Sequence, residues 1–178
     1  QRQMCIRDSC RMNRASATTH GTAATSSRLA LSSAAPRQQL ALHLLHSPLP
    51  PHVARRARGF DMRLLGSDPA PSKAAREASI ESISLDELLD QSDFVSINAA
   101  ATEENRAFIG EAQLRRMKPT AYLINTARGS LLDESALVKA LQENWIAGAA
   151  LDCFVEEPLP AEHPLRTAPK VLLCPHMA

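Results

Sequence analysis

Acidic residues are missing from a long stretch of this chain, and lysine from a longer one: residues 9–60 hold no aspartate or glutamate, and the first lysine is Lys73. Residues 1–58 carry nine arginines against the single Asp8, a balance of +8, whereas residues 59–178 carry eleven basic against eighteen acidic side chains, a balance of −7. The net charge of +1 averages two opposed segments and so identifies no partner. No aromatic residue precedes Phe60, so the basic front offers no ring on which a base could stack, and no nucleic-acid partner is expected. The four cysteines, Cys5, Cys10, Cys153 and Cys174, form no C-x-x-C pair and no metal-ligand spacing, so no metal is expected and a reducing, cytoplasmic compartment is the default. No apolar run approaches the roughly 20 residues of a bilayer span, so no membrane partner is expected. Six glycines in 178 residues never form the G-x-G-x-x-G turn that cradles a dinucleotide pyrophosphate.

What is present after Gly59 is an alternation of short apolar runs with amphipathic stretches, the pattern of a parallel sheet with crossover helices. Strands are predicted over 62–66, 94–98, 121–125, 146–154 and 171–174. Asp68-Pro69 ends the first of these, and Pro69 and Pro71 mark a loop. Ser84 is predicted to cap a helix running to Gln91, with Glu87 completing a capping box. A helix over 111–118 stops before Pro119. Asp133 starts another, in which Ala136, Leu137, Ala140 and Leu141 recur at helical spacing.

Three loops at predicted strand ends carry chemistry. Arg128, in Asn125-Thr-Ala-Arg-Gly-Ser130, lies just past a strand's carboxyl end, where open α/β sheets bind ligands. A guanidinium there can grip a carboxylate with two parallel hydrogen bonds. His176, in Cys174-Pro-His176, stands beyond another strand end; reduction of a ketone by hydride needs a proton for the nascent alkoxide, and imidazole titrates near working pH. Between them lies Ala150-Leu-Asp-Cys-Phe-Val-Glu-Glu-Pro158. A lone loop arginine is usually a solvated charge and a lone histidine near a chain end usually inert, so the case rests on the three motifs together.

The trio resembles the D-isomer-specific 2-hydroxyacid dehydrogenases, a family that includes phosphoglycerate dehydrogenase, glyoxylate/hydroxypyruvate reductase and formate dehydrogenase. The likeness covers residues 52–178. It implies a partial Rossmann-type doubly wound parallel sheet lacking its first strand and glycine-rich loop, with the family's substrate domain absent. It also implies an NAD-dependent oxidoreductase that moves a hydride between nicotinamide and a small 2-keto or 2-hydroxy acid. The catalytic set implied is Arg128, Glu157 and His176, with Glu157 stabilising the imidazolium. Formate dehydrogenases place glutamine at the position of Glu157, so this glutamate favours a keto acid, with hydroxypyruvate or glyoxylate the first to assay. The cofactor-binding set implied is Asp68 on the adenosine ribose, favouring NAD over NADP, Thr102 in a loop that departs from the family's usual Pro-Leu-Thr, Thr126 and Ala127 by backbone, and Asp152 at the carboxamide. A homodimer is expected of the whole protein, and this polypeptide alone is expected neither to bind NAD tightly nor to turn over substrate. The alternative is a corepressor-like binding protein of the same fold.

Residues 1–51 read differently. Gln3-Met-Cys-Ile-Arg-Asp-Ser9 resembles a translated transposon-type sequencing adapter, and the Ala/Ser/Arg/Pro/His bias of the next forty residues is typical of a shifted frame through GC-rich DNA. The composition runs straight into Val53-Ala-Arg-Arg-Ala-Arg-Gly-Phe60, which matches the helix after the family's glycine loop. Residues 1–51 are therefore expected to be foreign to the fold or disordered, ahead of a partial dinucleotide-binding domain over 52–178. A transit peptide over 12–51, implying organelle import, and a nucleic-acid-binding arm are the competing readings.

Overall fold

The computed structural model describes residues 39–43, 50–68 and 80–177. Of residues 1–51, expected to be foreign to the fold or disordered, residues 1–38 and 44–49 lie outside the described residues, as does the Pro69/Pro71 loop. No helix among the described residues is long and apolar enough to cross a membrane.

The described residues form a parallel sheet of seven strands: β1 (Gln39–His43), β2 (Arg63–Ser67), β3 (Glu81–Ser82), β4 (Phe94–Ile97), β5 (Tyr122–Asn125), β6 (Gly148–Leu151) and β7 (Val171–Leu173). Their spatial order is β3-β2-β1-β4-β5-β6-β7, so the chain winds outward from β1 in one direction and then, from β4, in the other. That reversal defines the doubly wound class.

One expectation is corrected here: the sheet has its first strand. Gln39 to His43 pair with β2 on one side, Gln39 opposite Arg63, and with β4 on the other, Leu40 opposite Phe94. Without it β2 and β4 would face each other across two unpaired rows of N–H and C=O groups in mid-sheet. Backbone pairing needs no particular side chain, which is why a strand can stand here ahead of a segment with no glycine. The short β3 lies outside the predicted strands; two residues are too few to show alternation.

Four helices connect the described strands: α1 (Pro50–Arg58), α2 (Leu85–Gln91), α3 (Glu111–Arg116) and α4 (Glu134–Gln142). Ser84 caps α2 as expected, its Oγ accepting from Glu87 N at 3.2 Å while Glu87 Oε2 accepts from Ser84 N at 3.1 Å. Asp133 caps α4 by accepting from Ser135 N and Ala136 N, each at 3.0 Å. Alternation along the strands sends Leu65, Val95, Ile97, Leu123, Ala149 and Leu151 into one core, together with Leu88, Leu89, Leu114, Leu137 and Leu141 from α2, α3 and α4. Leu64 points the other way, into a smaller cluster with Ala54 and Ala57 of α1.

Candidate active site

Because all the strands run parallel, every strand's carboxyl end falls at one edge of the sheet. Asp68 follows β2, Thr102 lies in the loop after β4, Thr126, Ala127 and Arg128 follow β5, Asp152 follows β6, and His176 follows β7. Residues spread over more than a hundred positions are thereby brought to one rim, beside the crevice that opens where the winding reverses.

The β5 loop is built on Asn125, whose side chain is fully buried. Its Oδ1 accepts from Ala127 N at 3.1 Å and its Nδ2 donates to the carbonyl of Arg128 at 3.0 Å, closing the loop around one amide. Its backbone carbonyl accepts from Asp152 N at 2.9 Å, which ties the β5 exit to the β6 exit. Arg128 leaves this loop exposed, with Nη1 donating to the Ala127 carbonyl at 2.6 Å. Next comes Gly129, where a Cβ would stand 1.9 Å from Phe154 C, 2.2 Å from Phe154 O and 2.4 Å from Val155 N. Only a residue without a side chain allows the two loops this approach.

From β6 the chain enters Asp152 and Cys153, both buried. Burial, reinforced by the nearby carboxylates of Glu157 and Asp152, pushes the Cys153 thiol up to about 12. Phe154 N donates to Glu157 Oε1 at 2.9 Å, and Glu157 Oε2 meets His176 Nδ1 at 2.7 Å. The hydrogen bond with His176, then the one from Phe154, hold the Glu157 carboxyl below the usual carboxylate range, with the charges of His176 and Arg128 adding to both. An ionised carboxylate only accepts, so the His176 Nδ1 carries the proton and Nε2 is the nitrogen left for a substrate. Both side chains are about two-fifths exposed, so solvent screens the pair.

His176 itself adopts a left-handed backbone, φ 53°. Histidine enters that region more readily than most residues, yet such a conformation persists only when its surroundings impose it. Here Met177 N donates to Asp152 Oδ1 at 2.9 Å, and Cys174 N donates to the Leu151 carbonyl at 2.8 Å, so the turn is fastened on both sides of the imidazole. A cavity of about 270 Å³ opens beside the pair, lined by Glu157 and His176 together with Phe154, Leu159, Arg166 and Leu173.

Of the three residues expected to act together, Glu157 and His176 touch, while Arg128 stands at the same rim with its charge reaching Glu157. Asp152, expected at the nicotinamide carboxamide, accepts from Met177 N through Oδ1. Thr102 belongs to an exposed loop closed by its own N–H on Asn105 Oδ1 and by Asn105 Nδ2 on the Ala100 carbonyl, both at 2.8 Å. Thr126 is exposed, and Ala127 and Asp68 are half-buried. Reading the sequence does not single out Asn125 as the brace of its loop, nor Glu134, whose Oε1 accepts from Val155 N at 2.8 Å and whose Oε2 lies 3.3 Å from His163 Nε2. Asn125 is visible in the motif; Glu134 looks like an ordinary first-turn acid.

Gly129 removes the side chain that would keep the β5 and β6 loops apart, and Asp68, the acid expected on the adenosine ribose, follows β2 at the same carboxyl edge, so the residues at this rim fit a nicotinamide dinucleotide. The segment between β1 and α1 contains no glycine. Among the described residues no cluster of three or more His, Cys, Asp or Glu could hold a metal ion.

A family model described as the D-isomer specific 2-hydroxyacid dehydrogenase, NAD binding domain, matches residues 50–178. The chain is 51% identical over 127 residues to a glyoxylate reductase of Korarchaeum cryptofilum and 48% identical over 133 residues to one of Thermofilum pendens, covering 71% of this chain and 38% of each relative. A crystal structure of a glyoxylate reductase from Paecilomyes thermophila superposes with a TM-score of 0.72 at 37% identity, over 78% of this chain and 42% of that one. A D-lactate dehydrogenase with NAD+ from Lactobacillus jensenii gives 0.72 at 26% identity, over 78% and 45%. The chain thus spans well under half the length of these relatives, and with the family match covering most of its own residues, it belongs to the D-isomer specific 2-hydroxyacid dehydrogenases, through their NAD-binding domain.

Proposed function

We propose that this chain is the catalytic rim of an oxidoreductase that reduces a small 2-keto acid, glyoxylate or hydroxypyruvate by preference, to the 2-hydroxy acid. The nicotinamide cofactor, when bound, supplies the hydride. Asp68, Thr102, Thr126, Ala127 and Asp152 are the residues that would hold it. Arg128 grips the substrate carboxylate in a two-pronged hydrogen bond and polarises the adjacent keto oxygen. As the carbonyl carbon is reduced, its oxygen takes the proton from His176 Nε2 and becomes the hydroxyl; in oxidation the same nitrogen receives it. Glu157 keeps the other ring proton on Nδ1 and offsets the charge of the imidazolium, an arrangement that also fixes the ring's direction. The 2.7 Å contact between Glu157 and His176 carries this reading.

The sequence between β1 and α1 has none of the glycines by which a dinucleotide turn brings its backbone close to a pyrophosphate, so we infer that the 178-residue chain binds NADH weakly. Fluorescence titration should give a dissociation constant above the micromolar range; a micromolar value refutes that part. The function itself is tested by grafting residues 50–178 into a glyoxylate reductase in place of its own segment and following NADH oxidation by absorbance. Turnover of glyoxylate or hydroxypyruvate, lost on Arg128→Ala and cut roughly 10²–10⁴-fold by His176→Ala, is expected. Turnover unaffected by His176→Ala rejects the assignment.

A further inference from the structure

We propose that Glu134, backed by His163, is a positioning residue for the Glu157–His176 pair and acts through the N–H of Val155. The inference rests on the reading of that pair as the proton-handling groups, but it concerns how the pair is held.

The segment that carries Glu157 is exposed from Val155 to Pro158, so packing does little to fix it. Three contacts fasten it. Gly129 lies against the backbone of Phe154 and Val155, His176 engages Glu157 at its far end, and Glu134 Oε1 accepts from Val155 N at 2.8 Å between them. Glu134 stands on a rigid base, because α4 is capped by Asp133 and buries Leu137 and Leu141. Its side chain is only 10% exposed, unlike the other paired acids of the surface.

The second carboxylate oxygen shows why a glutamate rather than a glutamine suits this position. His163 Nδ1 accepts from Leu165 N at 3.3 Å, so in the neutral ring the proton sits on Nε2, which faces Glu134 Oε2 at 3.3 Å. The Val155 amide donates to Glu134 Oε1, and the His163 ring lies at ion-pair distance from the other oxygen. A glutamine would keep an oxygen for Val155 but lose the charge that faces His163. An acid serving only the helix dipole would not need either partner. Release of Val155 frees the residue next to Phe154, whose own N–H serves Glu157 Oε1, so the effect passes directly to the carboxylate beneath His176.

The test follows the Glu157 carboxyl carbon by ¹³C NMR against pH in the 178-residue chain, in Glu134→Ala, in the size-preserving Glu134→Gln, and in Glu111→Gln as a remote control. The Glu157 midpoint should move upward, toward the usual carboxylate range, in Glu134→Ala and by less in Glu134→Gln, and stay in place in Glu111→Gln. An unmoved midpoint in folded Glu134→Ala, even with a lower melting temperature, overturns the proposal. If Glu134→Ala does not fold, an unmoved midpoint in Glu134→Gln overturns it equally. Because no turnover enters, a chain in which Glu157 responds to Glu134 but whose graft reduces no keto acid sinks the proposed function and leaves this inference standing.

Discussion

Gly129→Ala is the sharpest perturbation the structure offers, because its effect can be worked out atom by atom. The added Cβ would sit 1.9 Å from one backbone atom of Phe154 and within 2.4 Å of two more atoms, where real contacts stay above 3.0 Å. None of these atoms belongs to a side chain that could rotate aside, so the β5 and β6 loops must part by roughly an ångström. Overpacking of this kind costs about 1–3 kcal/mol, and three backbone clashes place Gly129→Ala at the upper end. At roughly 2–4 °C per kcal/mol for a chain of this size, the melting temperature should fall by about 5–10 °C. The damage should also be local: the amide resonances of Phe154 and Val155, which donate to Glu157 and Glu134, should be among those that shift most. In the grafted enzyme a displacement of this size should lower kcat on the order of 10²-fold, since Arg128 precedes the substituted residue and Glu157 lies just beyond the displaced backbone. Calorimetry and a ¹H–¹⁵N spectrum decide the matter. A melting point within about 1 °C of the parent, with both amides unmoved, would show that these loops do not meet as described.

Asp133→Ala removes both hydrogen bonds at the start of α4 and should cost about 1 kcal/mol by urea denaturation; no loss would mean the cap is made by something else. Leu137→Ala empties a fully buried position facing the sheet and should cost about 2–5 kcal/mol in the same experiment. The Glu157 and Asp133 carboxyls are depressed in the folded chain, Glu157 first by His176 and Asp133 first by Ser135, so the stability they add is present above their ordinary values of 4.5 and 3.8 and disappears as pH falls through the folded ones. The urea midpoint should accordingly hold steady from pH 7 to about 5 and decline below it; a midpoint that rises on acidification contradicts this. With its thiol pushed up to about 12, Cys153 should resist iodoacetamide near neutral pH in the native chain and react only after unfolding, as peptide mass spectrometry would show.

The elements most legible in the sequence are those whose signal is local. Ser84 with Glu87, and Asp133 with the Ala136, Leu137, Ala140, Leu141 spacing, declare helices within a single turn, and both helices stand where the pattern puts them. The pairing of Glu157 with His176 is legible only through the family motif, because no periodicity links positions nineteen apart. β1 is hidden for a related reason: a glycine turn is the usual marker of that strand, but sheet pairing is set by the neighbouring backbones and not by the turn beyond the strand's end. Glu134 and His163 escape notice because their meaning depends on Val155 and Leu165, which the fold brings to them and which no spacing rule anticipates.

The rim owes its accuracy to backbone bonds that continue the ladder past the strand ends. Asp152 N on the Asn125 carbonyl and Cys174 N on the Leu151 carbonyl each add one rung beyond β5, β6 and β7, so the three loops start from fixed relative positions. Past those rungs the regular pattern stops, and side chains take over: Asn125 closes the first loop, Glu134 and Glu157 hold the second, and Asp152 holds the third through Met177. Each of these groups except the Asn125 amide nitrogen is an acceptor for backbone N–H donors that a strand end would otherwise leave unpaired. Carboxylates at this edge therefore satisfy the backbone at the same time as they orient His176, which explains how so exposed a pair keeps a defined geometry: its solvent-screened ion pair contributes little, and the hydrogen-bonded loops beneath it supply the rest.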